Sequence, residues 1–476
     1  MKNYCPFTPL SLPFHSSSTM IDKATREQII KLVHQEVVPA IGCTEPVCVA
    51  LCTARATELL GCRPEHITVW LSANILKNAM GVGIPGTGMI GLPIAVALGA
   101  LIGKSEYQLE VLKDLTPEAV EEGKRFIEEN RIDIALKEGI TEKLYVEVIC
   151  TAGDRSETAI IAGSHTHFVE SKTAHEHKTP PDLPCRGGIS DAEVPPLLPD
   201  AEVPPLHPDA EVPPLQGRSG GVASQLSMSL VYDFATTAPL EEIRFIEETR
   251  KYNMNAAREA IKDNYGHNLG KTIDRPLAKG IFGNTIYSHI ISRTASACDA
   301  RMGGAMIPVM SNSGSGNQGI CATNPVCVYA KENENTEEEL IRALMLSHLT
   351  AIYIKQSLGT LSALCGCVVA SIGSSVGIVY LMGGGYDRIC AAVKNMIANL
   401  TGMICDGAKP SCSLKITSGV STALLSALLA MEGKCVTSVE GIVDDSVDKS
   451  IHNLTAIGAD GMGITDEMVL QMMTCK

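Results

Sequence analysis

Met403-Ile404-Cys405-Asp406-Gly407-Ala408-Lys409-Pro410-Ser411-Cys412 reads as a turn set among helices of small residues. Six residues separate its two cysteines, and the Gly and Pro among them favour a reversal of the chain. Such a turn can point two thiolates at one centre. The interval is too wide for the CxxC knuckle of a structural zinc site. It suits the broader span of an iron–sulfur cube, which takes cysteine thiolates as ligands. Upstream, Leu364-Cys365-Gly366-Cys367 opens another small-residue helix and makes Cys365 a candidate third ligand. Three protein ligands on four irons leave one iron open, as catalysis at a metal requires. The alternative is ordinary buried thiols, since free cysteine is among the most buried residue types.

Outward from this turn, the pattern is helical from Ser227 to the C-terminus. Pro239-Leu240-Glu241-Glu242 starts an amphipathic segment ending near Gly266. Thr336 and Glu339 form a capping box for a helix running to Leu358 and stopped by Gly359. Between them, Ser311-Asn312-Ser313-Gly314-Ser315-Gly316-Asn317-Gln318-Gly319 carries donors and flexible backbone suited to holding a carboxylate, or is simply a flexible loop.

The N-terminal part mixes periods. Ala24–Val38 has helical apolar spacing, and Val47–Leu60 is a second helix. Cys43 lies just before that second helix, where backbone N–H groups and the helix dipole favour a thiolate. Ile67–Leu71 alternates as a strand and leads into Asn74-Ile75-Leu76-Lys77-Asn78. The following Gly83-Ile84-Pro85-Gly86-Thr87-Gly88 lacks the Walker and dinucleotide patterns, but its amides can approach an anion. Thr116-Pro117-Glu118 opens a helix to about Asn130. Lys143–Thr151, Glu157–Ala162 and His165–Glu170 read as an antiparallel sheet. His165 and His167 share a strand face there, with His175 and His177 beyond, as surface histidines or a zinc clip.

The formal charge, 39 − 53 = −14, argues against a nucleic-acid or anionic-membrane surface. It suits a soluble cytoplasmic protein. Seventeen cysteines without a secretory signal point to thiols or metal ligands rather than disulfides. Two uncharged runs, Asn78–Gly103 and Gln356–Tyr386, are long enough to span a bilayer. Their glycines, prolines and serines and the absence of an aromatic belt favour buried core segments. Asp-Ala-Glu-Val-Pro-Pro-Leu recurs from Asp191, Asp200 and Asp209, which predicts an exposed, extended insert.

Taken together, Gly42-Cys43-Thr44-Glu45-Pro46, Asn74–Asn78, Ile84–Gly88, Ser311–Gly319, Cys365 and Met403–Cys412 resemble the L-cysteine desulfidase (cysteine desulfhydrase) family. That family is similar to the alpha chain of iron–sulfur L-serine dehydratases. The resemblance covers about Met20–Glu170 and Leu226–Lys476. It implies loss of hydrogen sulfide and ammonia from L-cysteine to give pyruvate, without pyridoxal phosphate, on an oxygen-sensitive [4Fe-4S] cluster. By position it implies Cys365, Cys405 and Cys412 as cluster ligands and Cys43 as the base. Cys321 and Cys367 fall outside the pattern. Lys77, Asn78 and Asn317 are candidate substrate-carboxylate contacts. An L-serine or L-threonine dehydratase and a non-catalytic metal-binding or redox-sensing protein are the competing readings. The expected partner is a small amino acid, with a homo-oligomer allowed and neither nucleic acid nor membrane involved.

The expected fold is α+β and predominantly helical. Residues 1–19 are a disordered extension and 20–170 a small mixed region with an antiparallel sheet and Cys43. Residues 171–225 are the Pro-rich insert, and 226–476 form a large helical domain with the cluster ligands.

Overall fold

The computed structural model of the chain describes residues 21–140, 142–169, 226–359 and 362–474. The first nineteen residues, the Pro-rich repeats and His175 and His177 lie outside the described residues. The fold is α+β and predominantly helical.

Among the described residues seven strands form two sheets. In chain order they are β1 (Pro39–Ile41), β2 (His66–Leu71), β3 (Ile132–Leu136), β4 (Tyr145–Ala152), β5 (Arg155–Ala162), β6 (Phe168–Val169) and β7 (Pro308–Met310). The larger sheet has the order β3-β2-β4-β5-β6. The β4–β5 and β5–β6 pairs are antiparallel, as expected, β2 also pairs with β4 antiparallel, and β2 and β3 run parallel. The Pro117–Glu128 helix, capped by Thr116 as its sequence indicates, supplies the crossover that a parallel pair requires. The sequence analysis did not predict β3, although Ile132, Ile134 and Leu136 alternate with Asp133 and Ala135. His165 and His167 lie in the turn between β5 and β6 rather than on a strand, so they do not share a strand face.

One face of this sheet buries Ile67, Val69, Leu71, Val146, Val148 and Ile161 under the Thr44–Leu60 and Leu92–Ile102 helices. Each such side chain contributes about 1.5–3 kcal/mol of transfer free energy. The thiol of Cys52 donates to the Ala159 carbonyl at 3.2 Å, setting the Thr44–Leu60 helix on β5.

A second core is built by the C-terminal helices Ile286–Met302, Gly316–Glu332, Glu337–Leu358, Gly366–Leu381, Tyr386–Leu400 and Cys412–Met431. Both halves of the Thr336–Glu339 capping box form at the start of the Glu337–Leu358 helix. Small residues let these helices approach closely: a Cβ at Gly373 would sit 2.3 Å from the Ser347 carbonyl oxygen. The uncharged runs become the buried helices Leu92–Ile102 and Gly366–Leu381. Among the described residues one helix, Cys412–Met431, is long and apolar enough to cross a membrane, with half of it buried inside the fold.

Cys43 belongs to the helical core, but the apolar side chains that follow it from Val47 to Leu60 belong to the sheet core. A short antiparallel ladder between β1 and β7 joins the two regions immediately before Cys43.

Candidate functional site

Two loops that the sequence keeps apart are clamped together. The Cys365 N–H donates to the Met403 carbonyl at 3.0 Å, and the Cys405 N–H donates to the Ala363 carbonyl at 2.6 Å. Cys365 caps the Gly366–Leu381 helix, and Cys412 opens the Cys412–Met431 helix. The thiols of Cys365, Cys405 and Cys412 lie within electrostatic reach of one another. Burial pushes the Cys412 thiol up to about 11 and raises Cys405, while a hydrogen bond with Cys367 raises Cys365.

Gly407 makes this loop fit. Its φ is +89°, and a Cβ there would lie 2.2 Å from the Lys77 carbonyl oxygen. Gly407→Ala therefore adds left-handed strain of roughly 1–2 kcal/mol and a backbone collision. The expected result is a loop displaced from the Ala73–Ala79 helix, with iron content after anaerobic reconstitution at least halved. Full iron incorporation would show that the loop tolerates the shift.

Lys77 is not a solvated charge. It is 1% exposed and pairs with Asp466 of the C-terminal Gly463–Thr474 helix, and its ammonium also reaches the Cys405 carbonyl at 3.5 Å. Asn74 donates to the same Asp466 carboxylate at 2.7 Å. Lys77, expected as a substrate contact, thus anchors the cysteine loop and already has a carboxylate partner. Asn78 is buried in the last turn of the same helix. A cavity of about 230 Å³ opens beside these residues, lined among others by Asn74, Lys77, Lys143, Ser362 and Asp466.

Cys43 is the N-cap residue of the Thr44–Leu60 helix, as its sequence position implies. Its thiol donates to Glu45 Oε2 at 2.9 Å. Burial, then the neighbouring Glu45 carboxylate, push its pKa well above the ordinary thiol value, and Arg301 opposes them. The expected resting thiolate is therefore corrected to a thiol: desolvation and a like charge outweigh the helix dipole. Thr44 donates to the Gly314 carbonyl at 2.9 Å, tying this helix to the Ser311–Gly319 loop.

That loop is held by a neutral histidine. Asn312 Nδ2 donates to His348 Nδ1 at 3.1 Å, which leaves His348 Nε2 as the donor to Thr323 Oγ1 at 3.0 Å. Burial pulls the His348 pKa down to about 3. The folded value lies below the unfolded value of about 6.5, so the unfolded chain binds the extra proton between them. Stability is lost as pH falls from about 6.5 toward 3. His348→Gln removes this term. Its deficit in urea unfolding relative to the parent should shrink by up to about 1.4 kcal/mol per pH unit below 6.5. A deficit that stays constant with pH sinks the assignment.

Asn317 sits in the first turn of the Gly316–Glu332 helix. Its Oδ1 accepts from Arg301 Nη1 at 3.1 Å and faces the Cys298 thiol at 3.7 Å, while its Nδ2 donates to Met302 Sδ at 3.4 Å. Asn317 therefore orients Arg301 instead of facing a ligand freely. The Gly83–Gly88 turn is likewise structural. The N–H groups of Gly83 and Gly86 donate to the carbonyls of Met302 and Gly304, and those of Ile84 and Thr87 to the carbonyls of Met89 and Ile84. No amide of these four is left for an anion.

Several residues of the site were missed in the sequence. Cys298 faces Cys412 and Cys365, and Cys367 is hydrogen-bonded to both Cys321 and Cys365. Lys355, 8% exposed in the last turn of its helix, faces Cys405, Cys365 and Glu45, and burial pulls it down to about 8. Glu45 was visible inside the quoted Cys43 motif but had no assigned task. Arg301 and Lys355 carry no local spacing signal.

The serine dehydratase alpha chain description matches residues 106–471. The chain belongs to the serine dehydratase alpha-chain family. Full-length relatives agree in extent. A protein of Bacteroides thetaiotaomicron called a UPF0597 protein is 61% identical over 95% of this chain and 99% of its own length. UPF0597 proteins of Porphyromonas gingivalis and Oleidesulfovibrio alaskensis are 51% and 43% identical, covering 96% and 94% of this chain and 100% and 97% of their own.

Among the described residues, no three His, Cys, Asp or Glu side chains gather as ligands of a single metal ion. A [4Fe-4S] cube asks for something wider, because each thiolate binds a different iron. Three mutually facing cysteines on two clamped loops fit that demand. Lys415, close to both Cys365 and Cys405, offsets the charge that such thiolates acquire.

Proposed function

We propose that this family member is an L-cysteine desulfidase, a pyridoxal-phosphate-independent carbon–sulfur lyase, with a [4Fe-4S] cluster held by Cys365, Cys405 and Cys412. The observation that carries this reading is the convergence of those three thiols in the core that also contains Cys43. When bound, the cluster supplies one Lewis-acidic iron without a protein ligand, which offsets developing charge by several kcal/mol.

The chain's own residues do the rest. Cys43 takes the Cα proton of L-cysteine, and the electron pair forms the Cα–Cβ double bond as the Cβ–sulfur bond breaks. Sulfide leaves, and the remaining enamine tautomerises and adds water to give pyruvate and ammonia. For Cys43 to act as base its own proton must go elsewhere, and the Glu45 carboxylate that accepts its hydrogen bond is the nearest acceptor. A positioned base contributes on the order of 10²–10⁴-fold. The buried surroundings of Cys43 exclude competing water.

The family description favours one second reading, an L-serine dehydratase, in which hydroxide replaces sulfide as the leaving group. Anaerobically purified protein assayed for sulfide from L-cysteine and pyruvate from L-serine separates them. Faster sulfide release supports the desulfidase, and pyruvate from L-serine alone overturns it. The acidic charge and the cysteine usage support a cytoplasmic setting.

A further inference from the structure

Arg301 ends the Ile286–Met302 helix and is 3% exposed, yet no Asp or Glu among the described residues pairs with it. Its Nη1 is engaged by Asn317, and its Nε has no partner. Burying a guanidinium without a counter-charge is strongly unfavourable. Lys77 is on Asp466, and Lys409 and Lys415 share Asp406, which leaves Lys355, facing Glu45 and the cysteine loops, as the rival cation. Arg301 faces the Cys43 thiol, whose proton it would help to release.

The surroundings form a cradle for a small anion. The guanidinium lies against Gly316, where a Cβ would fall 2.3 Å from Nε, so only glycine admits it here. Gly316 and Asn317 open a 17-residue helix, and their amides have no partner within its first turn. Gln318, 4% exposed, packs against Gly366 beside Cys365 and has an unpartnered Oε1. The buried arginine thus faces Cys43 and packs on Gly316, and two residues further along the same helix Gln318, with its unpartnered amide oxygen, lies against Gly366 beside Cys365. The oxygen is a poor neighbour for a carboxylate and a good one for an ammonium group.

We propose that Arg301, presented by Gly316 and oriented by Asn317, binds the α-carboxylate of the amino-acid substrate, while Gln318 Oε1 accepts from its α-ammonium. This rests on the lyase reading above and assigns its substrate-binding residues. The two-oxygen face of a carboxylate matches the fork of a guanidinium, which a lysine cannot reproduce.

The test is calorimetric binding of L-alanine, which has the carboxylate and ammonium but no leaving group, to anaerobically cluster-loaded protein. L-Alaninamide, lacking the carboxylate charge, is the comparator. The parent should bind L-alanine at least about tenfold more tightly than the amide, as expected for loss of one charge-assisted pair. Arg301→Lys should weaken L-alanine about 10–100-fold, with cluster absorbance and helical circular dichroism retained. Gly316→Ala keeps the charge but displaces the guanidinium, and should weaken binding in the same direction, which covers the case of a misfolded Arg301 variant. Equal binding of the two ligands by the parent overturns the proposal. So does parent-like affinity in both variants, or a loss that follows Lys355→Met in their place. Arg301-dependent binding of L-alanine by a protein that eliminates neither L-cysteine nor L-serine keeps the amino-acid site and sinks the lyase reading. Turnover with unchanged L-alanine affinity in Arg301→Lys does the reverse.

Discussion

Cys43→Ser should leave the anaerobically prepared protein brown and abolish sulfide release. Cys43 is outside the three-cysteine group and caps a different helix, so removing its sulfur leaves the proposed cluster ligands in place. Serine keeps the size and the hydrogen-bond capacity toward Glu45, but its hydroxyl is a far weaker acid than a thiol. No base then forms beside the substrate, and the expected loss in kcat is on the order of 10²–10⁴-fold. The measurement is sulfide and pyruvate production alongside the visible absorbance of the cluster. Near-parental activity in a brown Cys43→Ser protein would move the base to another residue, with Glu45 the first to examine. Burial and the Glu45 carboxylate raise the Cys43 pKa while Arg301 opposes them, so the proton needs an acceptor at hand, and Glu45 accepts its hydrogen bond.

Cys412→Ser should lose both the colour and the turnover. Cys412 is buried, opens its helix and faces both Cys365 and Cys405. A serine oxygen in its place is a hard, protonated group at a site whose chemistry asks for thiolate. The fold should survive, because the side-chain volume hardly changes and the loop is held by backbone bonds at Cys365 and Cys405. Iron and acid-labile sulfide analysis under strict anaerobiosis reads the outcome, and Cys321→Ser is the contrast that should stay brown. Full iron content in Cys412→Ser would remove this residue from the ligand set. Equal losses in Cys412→Ser and Cys321→Ser would show that the wider thiol group, not the three proposed ligands, holds the cluster.

Much of this architecture was open to reading from residue order alone, wherever the cause is local. The Thr336 capping box, the Thr116 cap, the alternation in β2 and the glycine stop after Leu358 each act within a few residues, and each formed where its pattern lies. The turn from Met403 to Cys412 and the placement of Cys43 at a helix start are of the same kind. β3 carries an alternation of its own, but its parallel pairing with β2 across the Pro117–Glu128 crossover is not a local property and could not be read from it. The anion-binding appearance of Gly83–Gly88 also misled, since the amides of Gly83 and Gly86 are taken by carbonyls more than two hundred residues away in the chain and those of Ile84 and Thr87 by neighbouring ones.

What only the tertiary structure decided is charge state and partnership. Residue order could not reveal that Lys77 belongs to Asp466, that Asn317 belongs to Arg301, or that no described Asp or Glu pairs with Arg301. Nor could it show that Glu45 and burial keep Cys43 protonated. These properties follow from desolvation and from the few ångströms between groups distant in sequence. A local motif supplies chemical types and backbone geometry, and the packed core alone determines which of those groups meet.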